Sequence, residues 1–179
     1  MDSIPTVHHT LQKFVKTVEA KPLSINDVVE QSKNAVGVLY SEIKNFNSLE
    51  ALFQGKNNLI ILLDPPAQSI GHFVCLIKQP NQYVFYDPYG NRPTALLQLL
   101  NISDTSLIDL LEKEQVEVSI NNHPFEKISG KINTCGRWCC LRTKWADKNN
   151  VEFQQMVKFG NITSDNLCVL LTIILFKII

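Results

Sequence analysis

The chain has no excess of charge in either sign. Lys and Arg total 17, Asp and Glu total 17, and the formal net charge is zero. Bulk electrostatics therefore give no argument for a nucleic-acid or anionic-membrane partner. The N-terminus, MDSIPTVHHT, lacks both a basic n-region and an apolar h-region. No secretory signal is read there, so a reducing compartment is the expectation. Cysteine is too sparse for a disulfide scaffold: there are five, an odd number, at 75, 135, 139, 140 and 168, and free thiols are expected. No apolar run is long enough to span a bilayer. The stretch Leu167–Ile179 has 13 residues and is interrupted by Lys177, short of the roughly 20 a spanning helix needs. It reads as a buried terminal helix or strand rather than a tail anchor. Internal repeats, low-complexity tracts and Gly/Ser linkers are absent, and the 179 residues fit one domain, 1–179, large enough for a core.

What is present is ordinary in bulk, 45% apolar and 19% charged, as in globular proteins generally. Two locally basic groups, Lys127/Lys131/Arg137 and Arg142/Lys144, read as solvated surface. Val7, Leu11, Phe14, Val15 and Val18 fall at helical spacing, and Ser24-Ile25-Asn26-Asp27 resembles a capping box. Ser48–Phe53 is a short helix ended near Gly55. The period then changes. Asn58–Asp64 and Ile70–Lys78 are unbroken apolar runs of strand length, separated by Pro65-Pro66, and Tyr83–Tyr86 is rich in aromatic and β-branched residues. A turn at Gln79–Gln82 makes the last two a hairpin. Helices are expected at Thr94–Leu100, Ser106–Glu114, Gly136–Lys148 and Val151–Phe159, with an outer strand at Val116–Ile120. In the helix after Gly136, Trp138, Leu141 and Trp145 share one face. Ser164-Asp165 caps a final helix. The class is α+β, with a strand-rich sheet in the middle of the domain.

Three phrases stand out: Gly71-His72-Phe73, Tyr86-Asp87-Pro88-Tyr89-Gly90 and Asn133-Thr134-Cys135-Gly136-Arg137-Trp138. Taken singly each has a plain structural reading, as a core histidine, a β-turn aspartate and a buried thiol. Together they agree geometrically. In an antiparallel hairpin Asp87 falls close to His72, where its carboxylate can accept the imidazole Nδ1–H and orient the ring. Cys135 opens a helix, after a loop containing Gly130, and the positive end of the macrodipole would lower its pKa. Gly136 lets the chain turn sharply and leaves backbone N–H groups free for an oxyanion. Cys139 lies one turn after Cys135. A zinc set built from Cys139, Cys140 and His123 or His72 lacks a CxxC pair, so neither metal nor cofactor is expected. His8-His9 read as surface.

The order His, Asp, Cys excludes papain-like and NlpC-like enzymes, in which Cys comes first. It leaves the adenovirus-protease/SUMO-protease group and the picornavirus-type chymotrypsin-like enzymes, and the latter need a nearly all-β chain. The chain resembles an adenain-like cysteine protease, especially those of large DNA viruses and Maverick/Polinton-type elements. Gly71-His72-Phe73 stands where that family usually has Gly-His-Trp, and Phe85–Gly90 matches its Phe-Asp/Glu-Pro-Phe/Tyr-Gly pattern. The Cys135 phrase follows, and Ser164-Asp165-Asn166 before an apolar run resembles the family's last helix. The resemblance covers roughly residues 24–175. It implies His72 as general base, Asp87 as its orienter and Cys135 as nucleophile, on an adenain-like, papain-related fold: a central mixed β-sheet packed by helices, with Cys135 opening the central helix. It also implies a protein substrate, a viral or mobile-element structural precursor cut near small residues such as Gly. The same clan holds ubiquitin/SUMO-like modifier proteases and acetylating effectors, and a catalytically impaired binding relative is a third reading. An activating peptide or nucleic acid stays open. The implied location is the cytoplasm or nucleus of a host or infected cell, with packaging in virions open and secretion not expected.

Two departures from the family pattern matter. Phe73 replaces Trp. The Gln that these enzymes place six or seven residues before the Cys is absent, since Ser129 and Ile128 stand there. Asn133 is then the first choice for an oxyanion side chain, with Ser129 next and the Gly136 backbone beside them. Glu126 is the remaining neighbour, set aside because an ionised carboxylate cannot donate.

Overall fold

The structure is a computed structural model, and it describes residues 4–64, 71–129, 131–158 and 160–177, with the side chains of residues 4–8 left aside. Pro65-Pro66, Ile70, Gly130, Phe159 and the side chains of Val7 and His8 therefore lie outside the described residues.

Five strands form one mixed sheet in the order β1-β2-β3-β4-β5: β1 Ala35–Leu39, β2 Asn58–Leu63, β3 His72–Lys78, β4 Tyr83–Tyr86 and β5 Val118–Ile120. The β2–β3 and β3–β4 pairs are antiparallel, and the outer pairs β1–β2 and β4–β5 are parallel. A parallel pair needs a crossover. The first is a 3-10 segment, Tyr40–Asn45, followed by helix α3, Leu49–Phe53; the second is α4, Pro93–Leu99, with α5, Ser106–Lys113. Both crossovers cover the same face, against Leu59, Ile61, Leu63, Val74, Leu76 and Phe85. The other face carries Ile60, Phe73, Cys75, Ile77, Val84 and Tyr86. It packs on α2 (Ile25–Gln31), α6 (Cys135–Lys144), α7 (Asn150–Met156) and α8 (Ser164–Phe176). Alternate residues of β3 and β4 thus enter two different cores, which is why these strands read as continuous apolar runs. Complete burial of a side chain such as Ile60 or Phe85 contributes about 1.5–3 kcal/mol.

Helix α1, Ile4–Glu19, packs on α8 through Val15 and Val18, whereas Leu11 and Phe14 of the expected apolar stripe are exposed. The capping box of Ser24 and Asp27 is present. The cap of α8 is Thr163 rather than Ser164-Asp165, because the Asp165 carboxylate is engaged elsewhere. Strand β1 has no counterpart in the sequence reading; Gly37 interrupts its apolar run, and a Cβ there would stand 2.6 Å from Val29 Cγ2.

The largest correction concerns α6. It is buried on every side from Cys135 to Thr143, not amphipathic with one inward face. Arg137 and Arg142, expected on the surface, are fully buried. Arg142 donates to the carbonyls of Trp145 and Lys148, both at 2.8 Å, and its guanidinium lies 5.2 Å from the Phe153 ring centre. A long cation that ties off carbonyls at a helix C-terminus can be buried at tolerable cost. No described helix is long and apolar enough to cross a membrane.

Candidate active site

The start of β3 and the end of β4 lie at one rim of the sheet. Alternation puts His72 on the face of Val74 and Leu76, and Asp87 on the face of Phe85. The register pairs Cys75 with Tyr86, so the position facing Asp87 is Val74, and His72 stands diagonally beyond it. A diagonal neighbour is within reach of a long side chain only through its far end. Accordingly the imidazole meets Asp87 through Nε2, 2.6 Å from Oδ1, and not through Nδ1 as the sequence reading has it. Nδ1 is buried without a hydrogen-bond partner. With Nε2–H donated to the carboxylate, Nδ1 carries the free lone pair and is the basic nitrogen of the ring.

Asp87 is held from several sides. Its Oδ1 also accepts the Tyr89 N–H at 3.0 Å, and Oδ2 accepts the Asn91 N–H at 2.9 Å and Asn91 Nδ2 at 3.0 Å. Asn121 clamps its backbone, accepting the Asp87 N–H and donating to the Asp87 carbonyl. The turn Asp87–Gly90 closes with a 2.8 Å hydrogen bond from the Gly90 N–H to the Asp87 carbonyl. Gly90 has φ +78, and a Cβ there would meet Pro124 N at 2.9 Å, so the turn requires glycine for both reasons. Tyr89 lays its ring flat on the imidazole, centroids 4.0 Å apart at 12°.

Cys135 arrives from the opposite face as the first residue of α6. Its sulfur, a ring nitrogen of His72 and a carboxyl oxygen of Glu126 lie within 4.8 Å of one another, loose geometry of the kind that tightens when substrate binds. Gly136 does not mark a sharp turn. It is helical, and its missing Cβ admits Val28, whose Cγ2 would be 2.8 Å away, and Phe73, whose Cδ2 would be 3.2 Å away. That contact brings the helix N-terminus against β3. Cys135 is only 8% exposed. Burial pushes its thiol above the usual range, nearby charge on Glu126 acts in the same direction, and hydrogen bonds from the Phe73 and Gly136 backbones oppose it. The expected lowering by the helix dipole is therefore overridden, and the resting sulfur is a thiol.

The approach to Cys135 is an open cleft of about 200 Å3 lined by Pro22, Leu23, Leu62, Gly71, Phe73, Asn133 and Gly136. Asn133 reaches it, but its Nδ2 is committed to the Ala20 carbonyl at 2.8 Å. The Ser129 hydroxyl accepts from the Lys131 N–H in an exposed turn, and Ser129 is not among the residues lining the cleft. The Ala20 bond uses one of the two Asn133 Nδ2 hydrogens, so Asn133 keeps a donor at the cleft wall, while Ser129 stands away from it.

The residue that sequence reasoning set aside is the one that structure brings in. The N–H groups of Phe125 and Glu126 both donate to the Pro88 carbonyl, at 2.8 and 3.0 Å. The Phe125 ring is wedged among Tyr86, Trp138 and Phe153. This anchor delivers the Glu126 side chain, 2% exposed, to the sulfur. Oε1 accepts the Thr134 N–H at 3.0 Å, and Oε2 is buried with no partner. Burial, more than neighbouring charge, pushes its pKa up to about 9, with the Thr134 hydrogen bond opposing and Asp165, Asp87 and Glu19 reinforcing. At neutral pH Glu126 is the uncharged acid, and its charge does not then bear on Cys135. Tyr89, Asn91, Asn121 and Glu126 all take part in the site. The signal for the first two was their place within and beside the Asp87 phrase, and for Glu126 its position before Cys135; Asn121 carries none.

His72, Glu126 and Cys135 are the compact group of metal-type donors among the described residues. Cys139, Cys140 and His123 do not form one there. Three donors are one fewer than the four of a structural zinc site.

No family model matches the chain. The uncharacterized protein V9 of the Sputnik virophage is 28% identical over 175 residues, covering 90% of this chain and 99% of that protein. Among solved structures, the chain is similar to the C-terminal Ulp1 protease domain in complex with SMT3, the yeast ortholog of SUMO. The identity is 13% and the TM-score 0.48, over 91% of this chain and 80% of that one. It is also similar to the ASFV protease, at 10% identity and TM-score 0.48, over 84% of this chain and 66% of that one.

Proposed function

We propose that the chain is a cysteine endopeptidase with Cys135 as nucleophile, His72 as general base and acid, and Asp87 as the group that orients the imidazole. The observation that carries this reading is the arrangement at the rim. A thiol at a helix N-terminus lies within 4.8 Å of a ring nitrogen of His72, an imidazole whose Nε2 is fixed at 2.6 Å by a buried carboxylate, and the thiol opens on a cleft. Because burial keeps the resting sulfur protonated, Nδ1 of His72 takes the proton as Sγ adds to the substrate carbonyl. A C–S bond forms and the carbonyl π pair moves to oxygen. As that pair returns, the C–N bond breaks and His72 passes the proton to the departing amine. Water then adds to the thioester with His72 again as base, and the acid and free thiol are released.

The substrate class we infer is a viral or mobile-element structural precursor cut beside small residues such as Gly. The support is the motif resemblance together with the virophage relative. A ubiquitin- or SUMO-like modifier is the second substrate class, since the Ulp1 domain to which the chain is similar was seen with SMT3 bound. Cleavage profiling on a peptide library, with Cys135→Ala as control, tests the reading. The parent should cleave a defined subset, and the variant should lose on the order of 10⁴–10⁶ of the rate, as nucleophile removal does. Equal cleavage by both overturns the mechanism. Capture of Cys135 by a ubiquitin or SUMO vinyl-sulfone probe would move the substrate class to modifiers.

A further inference from the structure

Glu126 is the buried group that the triad leaves unused. Its Oε1 accepts the Thr134 N–H, which leaves Oε2, with no partner, as the atom to carry a proton. A buried polar atom without a partner asks for an explanation, and its position narrows the answer. A Glu126 carboxyl oxygen lies within 4.8 Å of the Cys135 sulfur. At the moment of attack the carbonyl oxygen of a substrate must also lie close to that sulfur. The ring nitrogen left without a partner, His72 Nδ1, is needed for the thiol proton.

We propose that Glu126 is a catalytic residue of this site, donating a hydrogen bond from Oε2–H to the oxygen that becomes negative when Cys135 adds to the substrate carbonyl. The proposal rests on the endopeptidase reading. The Glu126 proton is shared and never transferred, so the bond changes are those already given. The backbone N–H groups at the start of α6 supply the other donors to the same oxygen.

The surroundings favour the neutral acid. Facing the carboxyl are Asp165 on α8, Asp87 after β4 and Glu19 on α1. Tyr89, His72, Cys135 and Cys168 also stand nearby, and the adjacent Lys127 directs its N–H to Asp165. With three carboxyl groups around it and burial acting in the same direction, ionisation is opposed up to about pH 9. A carboxyl kept neutral by its site so that it can donate is an established catalytic device.

The test uses the fastest-cleaved member of the peptide library and three proteins: the parent, Glu126→Ala and Glu126→Gln. Glu126→Ala should lose about 10²–10³ in kcat with KM little changed. Glu126→Gln, which donates without a titrating proton, should keep a tenth or more of the parent kcat near neutral pH. It should also continue above pH 9, where the parent falls away. An infrared difference spectrum between parent and Glu126→Gln at neutral pH should show one protonated carboxyl, a readout that needs no turnover. Parent-like kcat in Glu126→Ala, equal losses in both variants, or a carboxyl that is ionised at neutral pH overturns the donor role and leaves the triad standing. A parent that cleaves nothing removes the endopeptidase reading and the donor role with it.

Discussion

Asp87 and Glu126 are two carboxyls beside one imidazole, and the fold treats them in opposite ways. Asp87 is surrounded by donors: His72 Nε2, the Tyr89 and Asn91 backbone N–H groups and Asn91 Nδ2 all point at its oxygens. Glu126 receives a single N–H, from Thr134, and its second oxygen meets nothing. Both are equally out of water, at 0% and 2% exposure, so burial does not separate them. The supply of donors does. A carboxyl given several N–H groups is fitted to act as an acceptor, and one given few keeps its proton and can itself donate. On the proposed mechanism, one site thereby obtains an orienting acceptor and a donating acid from the same functional group.

The largest effect that could break this contrast comes from Asp87→Asn. The amide keeps the shape but sets an NH2 against His72 or Asn91, so it either loses the imidazole contact or opposes a donor. The expected loss in kcat is about 10³–10⁴, with roughly 1–3 kcal/mol of stability from the unsatisfied group. A variant with parent kcat would show that the 2.6 Å contact is only structural.

A smaller effect sharpens the Glu126 half through stability. Its folded pKa of about 9 stands above the ordinary value of 4.5. Below about pH 4.5 both folded and unfolded states hold the proton. As pH rises the unfolded state releases it first, so folding stability falls up to about pH 9, by at most about 1.4 kcal/mol per pH unit. Glu126→Gln has no such proton to lose. Its stability advantage over the parent, measured by urea unfolding near pH 5 and near pH 8, should grow by on the order of 1–3 kcal/mol. Parallel pH profiles would mean that Glu126 ionises normally in the fold.

The same contrast explains what the sequence could reveal. Strands β3 and β4, the hairpin between them and the helix opening at Cys135 are local: apolar runs, turn residues and a change of period specify them. His72, Asp87 and Cys135 sit at the ends of those elements, and so their meeting was legible. The nitrogen presented to Asp87 was not, because it depends on a register that places Val74, not His72, opposite. Glu126 was named only to be set aside, for a related reason. Its position depends on Phe125 wedging among Tyr86, Trp138 and Phe153, a contact among distant segments, and its protonation depends on burial that follows from that wedge. Arg137 and Arg142 were misread likewise. Residue type places arginine at the surface, and only the carbonyls at the end of α6 show why Arg142 is inside.

Activation of an otherwise protonated Cys135 by the His72 imidazole, oriented by Asp87, is the proposal on which the mechanism depends. It is tested most directly by the rate of Cys135 alkylation by iodoacetamide across pH, in the folded parent and in His72→Ala, with the modified peptide identified by mass spectrometry. The parent should react near neutral pH at least about tenfold faster than the variant, in line with general-base assistance, and the variant should react only as the pH approaches the raised range of a buried thiol. Identical rate profiles in the two proteins would contradict it.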